Sequence, residues 1–107
     1  MKAMNCCVHI VCHRSIIERL VDRLLEHPEW VQGFTMTQVE GASQGEKLPS
    51  MMEQVRGRSQ RVQIVAVMNL DDARALIAML KEKEATPHIA YWITPVLEFG
   101  RFHEEQV

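Results

Sequence analysis

The chain has 107 residues, 47% hydrophobic and 24% charged, with a formal net charge of −2. This is one domain's worth of sequence with the balance of a soluble globular protein, able to bury about two-thirds of its unfolded surface around a single core. It excludes a disordered or collagenous chain and a global basic field for nucleic acid. No apolar run approaches the ~20 residues of a membrane-spanning helix. The N-terminal stretch MKAMNCCVHIVCHRS is interrupted by His9 and His13, so no secretory signal is read there and the expected compartment is the cytoplasm.

Residues 4–12 alternate and carry β-formers, which predicts a strand with Met4, Cys6, Val8, Ile10 and Cys12 on an apolar face and Cys7, His9, Val11 and His13 on a mixed one. Ser15 followed by Glu18 has the spacing of a capping box. Behind it Ile16, Ile17, Leu20, Val21, Leu24 and Leu25 recur at helical spacing until Pro28 ends the helix near His27. Residues 31–40 read as a second strand. Residues 41–60 hold Gly, Pro and mixed charge without sustained periodicity and read as a long flexible loop. Residues 61–68 (RVQIVAVM) are a third strand. Asn69 is placed to cap a second helix whose first turn carries Asp71 and Asp72 and whose buried stripe is Ala73, Leu76, Ile77 and Leu80. Residues 88–94 (HIAYWIT) complete the pattern as a fourth strand.

The order βαββαβ is that of the ferredoxin-like fold, an α+β arrangement with a four-stranded antiparallel sheet, order 4-1-3-2, and both helices on one face. The other face would then carry Cys7, His9, Val11, Val65, Val67, Ala90 and Trp92. A half-apolar face of this size marks an interface, so a homo-oligomer is expected. The whole chain reads as a single domain, 1–107.

The same topology gathers Cys12, His13, Arg14, Glu40, Gly41, Arg61 and His88 at the sheet edge from which the 41–60 loop leaves. Arg56, Arg58 and Arg61 form a basic cluster suited to carboxylates or phosphates. His13 and His88, expected on one face of neighbouring strands, are a two-imidazole candidate for copper or zinc. Cys7 and His9 are a second i, i+2 pair of the same kind. The alternative for all four is ordinary packing or solvation, and the three cysteines, an odd number without C-x-x-C, read equally as small buried hydrophobes in a reducing compartment. Met4, Met36, Met68 and Met79 fall at core spacings as gap-fillers. No nucleophile elbow, zinc-protease or phosphate-loop motif is present, which argues against an enzyme.

The run Gly33-Phe34-Thr35-Met36-Thr37-Gln38-Val39-Glu40-Gly41 resembles the second strand of PII signal-transduction proteins, where it leads into the long T-loop. Arg61-Val62-Gln63-Ile64 resembles the start of their third strand. With Leu24-Leu25-Glu26-His27, Glu53-Gln54-Val55-Arg56-Gly57-Arg58 and Tyr91-Trp92-Ile93-Thr94-Pro95-Val96-Leu97-Glu98-Phe99-Gly100, the chain is similar over residues 3–101 to a smaller PII-like family often encoded beside heavy-metal efflux systems. The resemblance implies a trimer with sheets facing inward and a sensor or regulator without enzymatic turnover. It implies a T-loop at 41–60 that meets a partner such as a membrane transporter or regulatory protein. There is no implied nucleic-acid partner and no membrane insertion.

Gly41 and Arg61 match positions at the T-loop base, and Ser43-Gln44 stands where Arg-Gln normally follows. Lys83-Glu84-Ala85-Thr86-Pro87 replaces the Gly-rich phosphate loop of PII proteins, so adenine nucleotide is not expected. The effector and partner contacts fall to Gly41, Gln44, Arg56, Arg58 and Arg61. The metal contacts fall to His13, His88, Cys7 and His9, with copper or zinc as the ion. The competing expectation is a protein similar to the trimeric CutA proteins of the same fold, buffering or delivering copper or zinc directly.

Overall fold

The computed structural model describes residues 2–43, 52–53 and 57–103. Four strands, β1 (Cys6–His13), β2 (Thr35–Gly41), β3 (Ser59–Met68) and β4 (Ala90–Pro95), alternate with helices α1 (Ile17–Leu25) and α2 (Leu70–Lys83). The sheet order is β2-β3-β1-β4 with every pair antiparallel, the arrangement expected from the sequence.

The alternation along β1 and β3 sorts their side chains cleanly. Cys6, Val8, Ile10, Cys12, Val62, Ile64, Ala66 and Met68 are buried, and they pack in one cluster with Ile17, Leu20 and Leu24 of α1 and Ala73, Leu76, Ile77 and Leu80 of α2. Each of the larger side chains here contributes about 1.5–3 kcal/mol by leaving water. Both helices therefore cover one sheet face. Of the methionines read as gap-fillers, Met68 is buried and Met79 packs against the core, whereas Met36 is half exposed because β2 is an edge strand beyond the reach of the helices. Leu25, placed on the apolar stripe of α1 by spacing, is likewise exposed at the helix end.

Local chemistry moves several boundaries. Asn69 caps α2 as expected, its Oδ1 accepting the Asp71 N–H at 3.0 Å. Asn5 is drawn out of β1 to accept the Leu70 N–H at 2.9 Å, so the strand begins at Cys6 rather than Met4. The capping box at Ser15 does not form. Instead Arg14–Ile16 is a short 3-10 turn capped by His13, whose Nδ1 accepts the Ser15 N–H at 3.1 Å, and α1 starts after it without a side-chain cap. Residues 31–34 are not strand. Trp30 and Val31 donate their N–H groups to the His27 carbonyl, and His27 stacks on Trp30 at 4.5 Å, which holds the chain in a turn until Thr35.

On the face away from the helices, register places Cys7, His9, Val11 and His13 of β1 beside Val67, Val65, Gln63 and Arg61 of β3, and Thr94, Trp92 and Ala90 of β4 beside Cys7, His9 and Val11. Trp92 is 43% exposed. The half-apolar open face inferred from the alternation is thus present in the fold.

Candidate functional site

The end of the sheet where β1 and β2 stop and β3 begins is the most polar concentration of the described residues. Gly41 is opposite Ser59, and Val39 is opposite Arg61, which in turn faces His13 across β1. Ser59 is fully buried; its hydroxyl donates to the Gly41 carbonyl at 3.3 Å and accepts from Arg61 Nε at 2.8 Å. Arg61 Nη2 reaches Ser43 Oγ at 3.1 Å. The guanidinium consequently lies across Gly41: a Cβ there would stand 2.8 Å from Arg61 Nη1 and 2.9 Å from its Cδ and Cζ. The glycine is needed at this position for close approach of a side chain, with no demand on its backbone conformation.

Beside this arch is a cavity of about 260 Å³ lined by Arg14, Gln38, Val39, Glu40, Gln60 and Arg61. Arg14 Nη1 donates to Gln60 Oε1 at 3.0 Å, which directs a second guanidinium to the same opening. The acid in the lining, Glu40, is neutralised by Arg58 Nε at 2.9 Å. Two guanidiniums beside a paired carboxylate leave a local positive balance in a chain that is net acidic, and such forks suit oxyanions.

A residue that sequence reasoning passed over anchors the loop. Glu53 is buried, and its Oε2 accepts the Gln60 N–H at 2.9 Å and contacts His13 Nε2 at 3.3 Å. Its carbonyl accepts the N–H groups of Gly57 at 2.8 Å and Arg58 at 3.3 Å, and Gly57 takes a positive φ of 70° to make that turn. The chain before β3 is thereby clamped against the end of β1. Glu53 lies within the EQVRGR run, but nothing in its neighbourhood marks it as buried, because both contacts of its carboxylate come from strands elsewhere in the sheet.

The other candidates divide. Gly41, Arg58 and Arg61 come together with Arg14 as described. Gln44 and Arg56 lie outside the described residues. His13 has both ring nitrogens engaged, Nδ1 with Ser15 and Nε2 with Glu53. β4 starts only at Ala90, so His88 precedes it as an exposed turn residue whose N–H donates to Thr86 Oγ1 at 3.2 Å. His9 is stacked on Trp92 at 4.9 Å with its ring nitrogens directed to Thr94 and Gln63. Burial raises the pKa of the Cys6 and Cys7 thiols, and pushes that of Cys12 up to about 11, which holds all three as neutral thiols. Among the described residues no group of three or more His, Cys, Asp and Glu converges as a metal shell.

Similarity to known proteins agrees with this architecture. No curated protein matched the chain significantly. Among solved structures, a DUF3240 family protein from Shewanella baltica superposes with a TM-score of 0.74 at 18% identity, covering 94% of this chain and 99% of that one. CPII, a nitrogen regulatory PII-like protein from Thiomonas intermedia bound to ADP, AMP and bicarbonate, gives 0.70 at 13% identity over 91% of this chain and 93% of its own. A PII-like signalling protein from Thermus thermophilus gives 0.62 at 17% identity over 86% and 85%. At these identities the likeness is one of fold. The family described as "Protein of unknown function (DUF3240)" matches residues 2–103, and the chain therefore belongs to the DUF3240 family and has the ferredoxin-like fold of PII-like proteins.

Proposed function

We propose that this protein is a non-enzymatic PII-like regulator that assembles as a homotrimer through its open sheet faces, senses a small oxyanion at the base of the 41–60 loop, and presents that loop to a partner protein. The observation that carries the reading is the Arg61 guanidinium arched over Gly41 at the point where β2 hands the chain to the loop, beside a cavity that Arg14 also enters. An anion seated there pulls on both arginines, and Arg61 is bonded to Ser43 at the first residues of the loop. Binding one loop arrangement more tightly than another is all that a regulator of this kind requires. The trimer is supported by the half-apolar face with Trp92 at its edge, and the regulatory role by the PII-like fold.

Copper or zinc is the other effector class raised by the sequence, with heavy-metal homeostasis as its setting and a transporter as the partner. The geometry favours the anion, since the guanidiniums converge and the histidines do not. Isothermal titration with bicarbonate, phosphate, ADP and Zn²⁺ separates these readings. The expected result is saturable binding of bicarbonate or phosphate that Arg61→Ala weakens at least tenfold. Anion affinity unchanged in Arg61→Ala, or stoichiometric zinc binding abolished by His13→Ala with His88→Ala, would overturn it in favour of a metal-buffering protein.

A further inference from the structure

Beyond Pro95 the chain leaves the sheet. The Val96 N–H donates to the Asn5 carbonyl at 3.1 Å, and residues 96–103 then run on without helix or strand. This arm carries Leu97 and Phe102 with relative exposures of 104% and 114%, values reached only by side chains that touch almost nothing of their own copy. Phe99 is covered on one side by the Arg101 guanidinium, 6.0 Å from its ring centre. A fully exposed phenylalanine on a short arm is costly in water and is retained where something covers it.

At the opposite end of β4 is an apolar groove. It opens between the last turns of α2 and the start of β4, with Ile10, Ile77, Leu80, Ile89 and Tyr91 in its wall and a volume of about 150 Å³. A cavity of roughly that size lined by aliphatic side chains accommodates one benzene ring. Lys81 stands at its rim, 4.9 Å above the Tyr91 ring, and Lys83 follows it at the end of α2. The arm brings the acid Glu98 four residues ahead of Phe102. Ring and groove thus match in size, and their flanks match in charge.

They do not meet within one copy. The arm begins where β4 ends, the groove is where β4 begins, and six strand residues put about 20 Å between them. We propose that Phe102 of one copy seats in the α2–β4 groove of a neighbouring copy, with Glu98 beside Lys81 and Lys83. Donor and acceptor surfaces are different, so the contact is heterologous, and repetition closes a ring in which each copy gives one arm and receives one. The inference rests on the oligomer proposed above but uses a surface separate from the inward sheet face.

Photo-cross-linking tests it. The full chain carrying Phe102→p-benzoylphenylalanine is irradiated, run on denaturing gels and mapped by mass spectrometry. The expected products are covalent dimers and trimers joining position 102 to peptides that contain Ile77–Lys81 or Ile89–Tyr91. Ala85→Trp fills the groove from an exposed position in its lining and should cut those products at least fivefold while the circular dichroism stays unchanged. Cross-links that are only intramolecular, that land on the Trp92–Val65 face, or that persist in Ala85→Trp would overturn the proposal. Light scattering on the same sample keeps the two readings apart: a trimer without groove cross-links refutes the arm contact alone, and a monomer refutes both.

Discussion

Replacing Glu53 by alanine removes the carboxylate that ties the segment ahead of β3 to the rest of the sheet. Two contacts are lost, one to the Gln60 N–H at 2.9 Å and one to His13 Nε2 at 3.3 Å. The first is a short bond from a backbone amide to an ionised acceptor, of a kind that contributes about 1.5–3 kcal/mol. The second is at the long end of hydrogen-bond range and contributes about 0.5–1 kcal/mol. Their partners are mostly buried, with side-chain exposures of 22% for His13 and 11% for Glu53, so solvent screens the pair only in part. Glu53→Ala should therefore destabilise by about 2–3 kcal/mol, and Glu53→Gln, which keeps an acceptor for Gln60, by about 1 kcal/mol.

Urea unfolding followed by far-ultraviolet circular dichroism, at one fixed protein concentration, measures both. His13→Ala also loses the bond that its Nδ1 accepts from the Ser15 N–H, so the single variant overstates the pair. The double-mutant cycle subtracts that contribution and should return a coupling of about 0.5–1 kcal/mol. An inert surface change stays within about 0.5 kcal/mol of wild type. A Glu53→Ala protein inside that range, or a coupling indistinguishable from zero, would refute the clamp.

Gly41→Ala should leave stability nearly unchanged, since the clash is with the movable end of a side chain, yet weaken phosphate or bicarbonate binding in titration by displacing Arg61. Trp92→Asp puts a charge on the open face and should convert the trimer to a monomer in light scattering with the circular dichroism retained. Cys12, fully buried with its thiol pKa pushed up to about 11, should resist iodoacetamide at mildly alkaline pH until urea unfolds the chain, when mass spectrometry records its alkylation. Glu84 is held below the ordinary glutamate range by its hydrogen bond from Arg19, then by Arg23. Its tie between the helices is present above the unfolded-state pKa and is lost as pH falls through the lowered value in the folded chain, so Glu84→Gln should flatten the acid end of the stability profile.

The residues that could be read in the linear order are those whose role repeats with the period of their own element. Ala73, Leu76, Ile77 and Leu80 form the buried stripe of α2 as their spacing predicts, and the alternation from Cys6 to Cys12 separates the core face from the open one. Asn69 is legible as a cap because its partner is two residues away. Glu53 is illegible for the opposite reason: its carboxylate meets His13, 40 residues distant in the chain. The capping box at Ser15 had the right spacing and still did not form, because His13, at the end of β1, offers its ring nitrogen to the Ser15 amide and starts a 3-10 turn in its place.

The basic cluster shows the division most clearly. Arg56, Arg58 and Arg61 are equivalent as a run of charge, but the fold pairs Arg58 with Glu40 and lays Arg61 across Gly41, while Arg14, from a different element, joins the cavity. Sequence alone determined the element order, the sheet topology and the half-apolar face, since binary patterning is local and the periods of strand and helix are unambiguous here. Only the tertiary structure decided which charged groups neutralise one another, which imidazoles are already committed, and that an exposed aromatic arm and a ring-sized groove lie at opposite ends of β4. Those are matters of distance between side chains remote in sequence, and no periodicity encodes a distance.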